Sequence, residues 1–125
     1  MGDQGIDVTA AHRWFAREFN NAAWDLVEAG TRTPAETERM LQLAHAACLH
    51  WEAVGTVANR QRALVLLAMA HVAAGQAMRA VDLARQCLAV QESGPAELTP
   101  FDCAAGAACL AAALRCDGQL AGACT

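Results

Sequence analysis

The chain has 125 residues, a formal net charge of −4 and a pI near 5.4, which fits one domain that buries a core without disulfides or structural metal. The acidic balance argues against a nucleic-acid partner, because phosphate binding needs a concentrated cationic surface. Lysine is absent, which excludes a P-loop lysine and a lysine Schiff base.

Alanine supplies roughly a quarter of the residues, and Ile6 is the only isoleucine, so the composition favours helix over strand. Residues 1–7 are expected to form a poorly ordered tail before a single helical domain, residues 8–125. A first helix is predicted from Val8 to Ala29, ended by Gly30, because apolar residues recur three or four positions apart. This stripe consists of Val8, Ala11, Phe15, Phe19, Ala22 and Leu26.

The second helix has a sharp predicted start, because Thr33-Pro34-Ala35-Glu36 is a capping box with proline at the first helical position. It lasts to about Val54, and Gly55 closes it. Its expected inward residues are Met40, Ala44, Ala47, Trp51 and Val54.

Three further helices and a short last one follow from the same kinds of signal. Thr56 is a predicted N-cap for a third helix, about 57–74, and Gly75 separates it from a fourth, about 76–92. Thr99-Pro100 repeats the earlier start signal for a fifth helix, about 100–116. After Asp117-Gly118 a last short helix is expected. More than about 65% of the residues should be helical, with no sheet.

Residues 61–92 have the spacing of a tetratricopeptide-like helical hairpin, in which bulky residues on one helix meet small ones on the next. A second, truncated copy begins 43 residues later, because Leu110 and Gly118 match Leu67 and Gly75. The predicted fold is all-α, with antiparallel helical hairpins stacked as a short α-solenoid. The bulky positions are Leu64, Leu67 and His71, and the small ones are Ala68, Ala80, Ala84 and Cys87.

Over most of its length the chain also resembles a group of small bacterial tetratricopeptide-like proteins that has no settled activity. The resemblance implies the helical-repeat fold and leaves the function open. Where such proteins tend to carry an aromatic residue, this chain has His71. The resemblance is carried by Phe19-Asn20, Trp24-Asp25-Leu26, Arg32-Thr33-Pro34, Leu43-Ala44-His45-Ala46, His50-Trp51, Val54-Gly55-Thr56, Asn59-Arg60, Cys87-Leu88 and Phe101-Asp102.

The common catalytic motifs are missing from the sequence. Ser93 is the only serine and has no Gly-x-Ser-x-Gly turn around it. There is no His-Glu-x-x-His and no Cys-x-x-Cys. The sequence therefore favours a protein that is not an enzyme and has no cofactor, while leaving catalysis open.

A cytoplasmic location is expected, because residues 1–7 do not resemble a signal peptide and the longest apolar run, Cys103–Leu114, is too short to span a bilayer. No membrane partner is expected either. The six cysteines are then predicted to be thiols that pack as small hydrophobes, with disulfides as the alternative.

Candidate binding residues are concentrated in the first half of the chain. Trp24 lies about 160° around the first helix from Leu26, on a face that includes Asn20. An aromatic ring among amides suits recognition of a ligand or partner, and packing against a second neighbouring helix is the alternative. The predicted ligand-binding residues are Asn20, Trp24, His45, His50, Trp51 and Asn59.

A metal site is a weaker alternative. His45 and Cys48 are three residues apart and can share a face of the second helix, with His71 as a third ligand. His50 lies about 140° from His45, so the two histidines cannot bind one metal from the same helix. A buried cysteine and hydrogen-bonded histidines in an alanine-rich core give the same pattern.

Two functions remain open from the sequence. The first is a non-enzymatic module that binds a protein or peptide partner in a groove lined by helices 1, 3 and 5. The second is a small-ligand- or metal-binding protein, possibly an enzyme, with a His/Trp pocket between the first two hairpins. In addition, Cys103–Leu114 has no charged side chain, so a symmetric homodimer through helix 5 and the C-terminal segment is expected.

Overall fold

The computed structural model describes residues 5–118, and in that range the chain forms five α-helices, one 3₁₀ turn and no strand. The all-α prediction is confirmed, and the helices begin and end within two residues of their expected positions. The expected last short helix and the rest of the C-terminal segment lie outside the described residues. The elements are α1 (Val8–Val27), α2 (Pro34–Val54), α3 (Val57–Ala73), α4 (Ala77–Ser93), the 3₁₀ turn Pro95–Glu97, and α5 (Pro100–Cys116).

Three of the helices begin with the same reciprocal cap. A threonine hydroxyl accepts from the backbone N–H three residues later, and the side chain of that later residue accepts from the threonine N–H. This arrangement satisfies two backbone donors that a helix start otherwise leaves unpaired. The pairs are Thr33 with Glu36 in α2, Thr56 with Asn59 in α3, and Thr99 with Asp102 in α5.

The turn between α3 and α4 is a Schellman motif. Gly75 has φ +77°, a conformation that glycine adopts without steric cost. Its N–H donates to the Val72 carbonyl at 3.0 Å, and the Gln76 N–H donates to the His71 carbonyl at 2.8 Å. The turn therefore closes in three residues and sends α4 back along α3.

Helix α3 is the centre of the fold, since α1, α2, α4 and α5 all pack against it. The α1–α2 and α3–α4 pairs are the two most extensive helix contacts, and α5 covers α3 and α4. Small residues are fully buried at these crossings, which lets the backbones approach closely. The fully or almost fully buried residues include Ala44, Ala47, Leu66, Leu67, Ala68, Ala80, Leu83, Ala84 and Cys87.

The buried face of α1 differs from the expected apolar stripe. Val8 is 54% exposed and Phe15 is 39% exposed, whereas Ala16 and Ala23 are fully buried. The two alanines lie seven residues apart on one face of the helix, and close helix packing favours small side chains at such positions. Phe19 and Leu26 of the stripe pack against the core but are only partly buried.

Arg32 joins the C-terminal ends of α1 and α3. Its Nη1 donates to the carbonyls of Leu26 at 2.9 Å and Ala29 at 3.0 Å, and its Nη2 donates to the carbonyl of Ala73 at 3.2 Å. The last carbonyls of a helix lack partners within the helix and carry partial negative charge. One guanidinium thus satisfies carbonyls at the ends of two helices, one of which, at Ala73, is 41 residues from Arg32 in sequence.

Helix α5 is apolar, but one of its sides is uncovered in the described range. Cys109 and Ala113 are buried against the core. No helix among residues 5–118 is long and apolar enough to cross a membrane. The exposed residues of α5 are Pro100, Phe101, Cys103, Ala104, Ala107, Ala108 and Arg115, so most of its free surface is uncharged.

Candidate functional site: a cavity between four helices

A cavity of about 490 Å³ opens where α1 and α5 flank the N-terminal half of α3. It lies at one end of the molecule, since it takes the last turn of α2, the first turns of α3 and the start of α5. Its size is in the range of ligand-binding clefts. The cavity is lined by Asn20, Trp24, Trp51, Asn59, Gln61, Arg62, Val65, Phe101, Asp102 and Ala105.

Four of the six predicted ligand-binding residues line this cavity, namely Asn20, Trp24, Trp51 and Asn59. These residues come from α1, from the end of α2 and from the start of α3, and the three segments meet at the cavity. The other two predicted residues, His45 and His50, do not line it. The expected arrangement, with both imidazoles beside Trp24 in one pocket, is therefore corrected.

Aromatic rings form the walls of the cavity. Trp24 and Trp51 are half-buried and pack against the core, which holds their rings in place. Phe101 is 79% exposed, and it reaches the cavity from the first turn of α5. Most of the phenyl surface of Phe101 is therefore open to solvent beside two anchored indoles.

The charged pair of the cavity holds α3 to α5. Asp102 is 1% exposed, and its two carboxylate oxygens accept from Arg62 Nε at 2.8 Å and Nη2 at 2.9 Å. Its Oδ2 also accepts from the Thr99 N–H and hydroxyl, each at 3.0 Å. The Arg62 hydrogen bonds and then the Thr99 backbone N–H lower the pKa of Asp102 far below its ordinary value. The carboxylate is thus ionised and fully occupied, so it is not a free general base.

Gln61 forms the buried floor beside this pair. It is fully buried, and its Nε2 donates to the Asp102 carbonyl at 2.9 Å and to Gln91 Oε1 at 3.0 Å. Gly106 on α5 makes room for this network, because a Cβ there would overlap Gln91 Oε1. The amide network therefore fixes α3, α4 and α5 together under the cavity.

The asparagines leave amide groups available on the cavity wall. Asn59 Oδ1 is occupied, since it accepts from the Thr56 N–H at 3.1 Å and from the Thr56 hydroxyl at 3.1 Å. Its Nδ2 is then the group left to donate to a ligand. Asn20 makes one long hydrogen bond to Asn21, at 3.4 Å, which leaves its carbonyl oxygen as an acceptor. The cavity thus offers neutral donors and acceptors beside apolar rings.

The predicted metal ligands do not come together. The rings of His45 and His71 meet edge to face with centroids 5.5 Å apart, and His71 Nδ1 is bound to the Leu67 carbonyl at 2.8 Å. Cys48 Sγ instead donates to the Ala63 carbonyl at 3.4 Å. Within residues 5–118 no group of three histidine, cysteine or acidic side chains is placed to hold a metal ion. His71 is a buried packing residue, as one of the two sequence interpretations expected.

The described cysteines are free thiols, and three of them are buried. Burial raises the pKa of Cys48 and of Cys109 to about 12, and that of Cys87 to about 11. Their sulfurs face carbonyls of α3, at Ala63, Val65 and Gln61 respectively. They therefore pack as neutral hydrophobes and are poor nucleophiles.

This placement predicts the order of thiol alkylation. Iodoacetamide should modify exposed Cys103 first, while Cys48, Cys87 and Cys109 should react at least about 100-fold more slowly until the protein unfolds, since little of each buried thiol is ionised. Peptide mapping by mass spectrometry at successive times measures each rate separately. Equal rates for Cys48 and Cys103 in the folded protein would contradict the packing.

Several lining residues had no local signal that marked them for the site. Arg62 and Asp102 are 40 residues apart, so their ion pair is visible only in the folded chain. Phe101 belongs in the sequence to the helix-start segment Thr99-Pro100-Phe101-Asp102, and that pattern indicates a cap without marking the ring for binding.

Comparison with protein-family models, with curated proteins and with solved structures gives no match to this chain. The geometry of the cavity therefore carries the functional argument.

Proposed function

We propose that this protein is a non-enzymatic helical-repeat module, a short tetratricopeptide-like solenoid, that binds a segment of a protein or peptide partner in the cavity. The observation that carries the proposal is the composition of the cavity wall. Trp24, Trp51 and Phe101 supply apolar area, the asparagine amides supply hydrogen-bonding groups, and the only carboxylate among the lining residues, Asp102, is occupied by Arg62.

The partner binds as an extended segment that places one large apolar side chain between the three aromatic rings. The Asn59 Nδ2 group and the Asn20 carbonyl then bond to main-chain carbonyl and N–H groups of the segment. Rigid aromatic anchors lose little conformational entropy on binding, and the buried floor of Gln61 and Asp102 keeps them in position.

Selection from a library of displayed random peptides tests this proposal. Peptides enriched on the protein should share a large apolar residue, and their capture should be lost on the Phe101→Ala variant. Phe101 is suitable for truncation because it is 79% exposed, so its loss should leave the fold intact. The control is Trp14→Ala, which removes a half-exposed aromatic outside the cavity and should leave capture unchanged.

A small organic ligand is the second candidate, because about 490 Å³ is enough for a drug-sized molecule. Native mass spectrometry of the freshly purified protein distinguishes the two. A bound small molecule that is present in the wild-type protein and lost on Phe101→Ala would favour this candidate over a peptide partner.

We also propose that the protein forms a symmetric homodimer through α5. Support comes from the mostly uncharged free face of that helix, on which the exposed residues Ala104, Ala107 and Ala108 lie side by side. Small residues let a second backbone approach closely, and a twofold axis would bury the same stripe on both chains. The C-terminal segment, also expected in the interface, lies outside the described residues.

The dimer predicts a clear effect of one charge on α5. Wild-type protein should sediment as a dimer at tens of micromolar, and Ala108→Glu should sediment as a monomer, because an unpaired carboxylate cannot be buried without large cost. Ala89→Glu on the exposed side of α4 is the matched control and should remain dimeric. A monomeric wild-type protein would contradict the proposal.

A further inference from the structure

A pair of histidines outside the cavity is placed to act together. His12 is in the second turn of α1 and His50 is in the last turn of α2, and their Nδ1 atoms are 2.8 Å apart. Both side chains are half-buried, so solvent reaches them. Phe15 stacks on the His50 ring with centroids 5.5 Å apart, and Phe19 lies 5.8 Å from it, so this imidazole packs against α1.

We propose that His12 and His50 form a two-histidine binding site for a divalent transition-metal ion of the copper(II) or nickel(II) class. Imidazole nitrogens bind such ions at about 2.0 Å. Two nitrogens 2.8 Å apart, each about 2.0 Å from one ion, subtend about 90° at that ion. This is the angle between neighbouring ligands in square-planar, tetragonal and octahedral geometry, which copper(II) and nickel(II) prefer.

The same separation disfavours zinc. A tetrahedral ion with bonds of about 2.0 Å needs nitrogens about 3.3 Å apart, so the rings would have to move apart by about 0.5 Å. Any of these ions requires the two rings to turn, but only a tetrahedral ion also requires them to separate, which the contacts of Phe15 and Phe19 with the His50 ring oppose. The proposed site is therefore expected to bind copper(II) and nickel(II) more tightly than zinc(II).

Metal binding requires a change in which imidazole nitrogen carries the hydrogen. In the structure one imidazole donates an Nδ1–H to the Nδ1 of the other. For both Nδ1 atoms to bind the ion, the donor ring must carry its hydrogen on Nε2 instead, and each ring must turn so that its lone pair points to the shared ion. Water completes the coordination, because residues 5–118 supply no third histidine, cysteine or acidic ligand there.

The other two histidines provide an internal control. The rings of His45 and His71 are close, but His71 Nδ1 is held by the Leu67 carbonyl at 2.8 Å, and the two rings meet edge to face. That pair does not direct two free nitrogens at one point. Replacing His45 removes an exposed imidazole from the same helix as His50 without touching the proposed site.

Calorimetric titration of the full chain with nickel(II) tests the proposal, since thiols do not reduce this ion. We expect one ion per chain, at least tenfold weaker binding in His12→Gln and in His50→Gln, and binding within twofold of wild type in His45→Gln. Nickel(II) should also raise the thermal midpoint of the wild-type protein and not of the two site variants, because it links α1 to α2.

Two results would overturn the proposal. The site is absent if wild-type protein binds nickel(II) with a Kd weaker than about 1 mM, or if the His12 and His50 variants bind as tightly as wild type. The assigned metal class is wrong if zinc(II) binds more tightly than nickel(II) with the same dependence on His12 and His50. Unchanged circular dichroism in both variants establishes that a loss of binding is not a loss of fold.

Discussion

Replacing Asp102 by alanine should lower the free energy of unfolding by about 3 kcal/mol. The change keeps the Thr99 N-cap but removes the Asp102 half of the capping box, the bonds from the Thr99 N–H and hydroxyl, which contributes about 1 kcal/mol, and it removes two charge-assisted hydrogen bonds to Arg62. The full value of those bonds is not expected, because the Arg62 side chain is 52% exposed and water compensates it in part. Urea denaturation followed by circular dichroism measures the loss.

Two further variants test whether the loss of stability depends on the charge of Asp102 and on the burial of its ion pair. Asp102→Asn keeps an oxygen for the cap but loses the charge, so its loss should be intermediate. Asp82→Asn breaks the exposed pair with Arg79, whose atoms are also 2.8 Å apart, and should change stability by no more than about 0.5 kcal/mol. Equal effects of the Asp82 and Asp102 changes would show that burial of the pair does not matter.

The low pKa of Asp102 also makes stability depend on acid. The folded protein holds the ionised form, through Arg62 first and Thr99 second, whereas the unfolded chain binds a proton near pH 4. The stabilisation is therefore complete above about pH 5 and is lost as the pH falls from there toward the folded-state pKa. Unfolding curves between pH 7 and pH 3 should show a smaller fall in stability for Asp102→Asn than for wild type.

Replacing Arg32 by alanine should have an effect of similar size, about 2 to 4 kcal/mol. The guanidinium donates to the carbonyls of Leu26, Ala29 and Ala73, and a hydrogen bond from a charged donor contributes about 1.5 kcal/mol. The net loss is smaller than the sum of the three bonds, because the position is part-buried and water can reach the freed carbonyls. Truncation leaves these carbonyls at the ends of α1 and α3 without their donor. The same denaturation measurement checks the value.

The Arg32→Lys variant tests whether the positive charge alone is sufficient or whether the planar guanidinium is needed. A single ammonium cannot reach both helix ends in the geometry of the planar fork, so Arg32→Lys should recover less than half of the loss. Arg39→Ala, an exposed arginine on α2, is the control and should lie within about 0.5 kcal/mol of wild type. Full recovery by lysine would contradict the bridging role.

The boundaries of the helices were predictable because their signals are local. Thr33, Thr56 and Thr99 each bond to a residue three positions later, so the start of each helix is decided within a few residues. Gly75 likewise ends α3 through bonds to the preceding turn. Such signals do not depend on the rest of the fold.

The buried face of α1 was not predictable in the same way. Phe15 and Phe19 are the largest residues of the apolar stripe, but Phe15 is exposed and Phe19 is only partly buried, whereas Ala16 and Ala23 are fully buried. Hydrophobicity alone ranks the rings above the alanines, whereas close helix packing selects the small side chains. Which face of α1 is buried, the aromatic one or the alanine one, therefore depends on how the other helices pack against it.

The candidate site was predictable in part. The groove between helices 1, 3 and 5 was expected, and Trp24 stood out because its ring is on the polar side of α1. The ion pair of Arg62 and Asp102 and the contact of His12 with His50 join residues 40 and 38 positions apart, so no local pattern indicates them. His50 consequently lies in a different site from the one expected.

The central claim, that the aromatic cavity binds a partner segment, is tested most directly by titrating an enriched library peptide into protein carrying Ala108→Glu, a variant that we expect to be monomeric. In this background Phe101→Ala should weaken binding at least tenfold, about 1.4 kcal/mol, and Trp14→Ala should leave the Kd within twofold. Unchanged affinity on Phe101→Ala, or an equal loss on Trp14→Ala, would contradict the account.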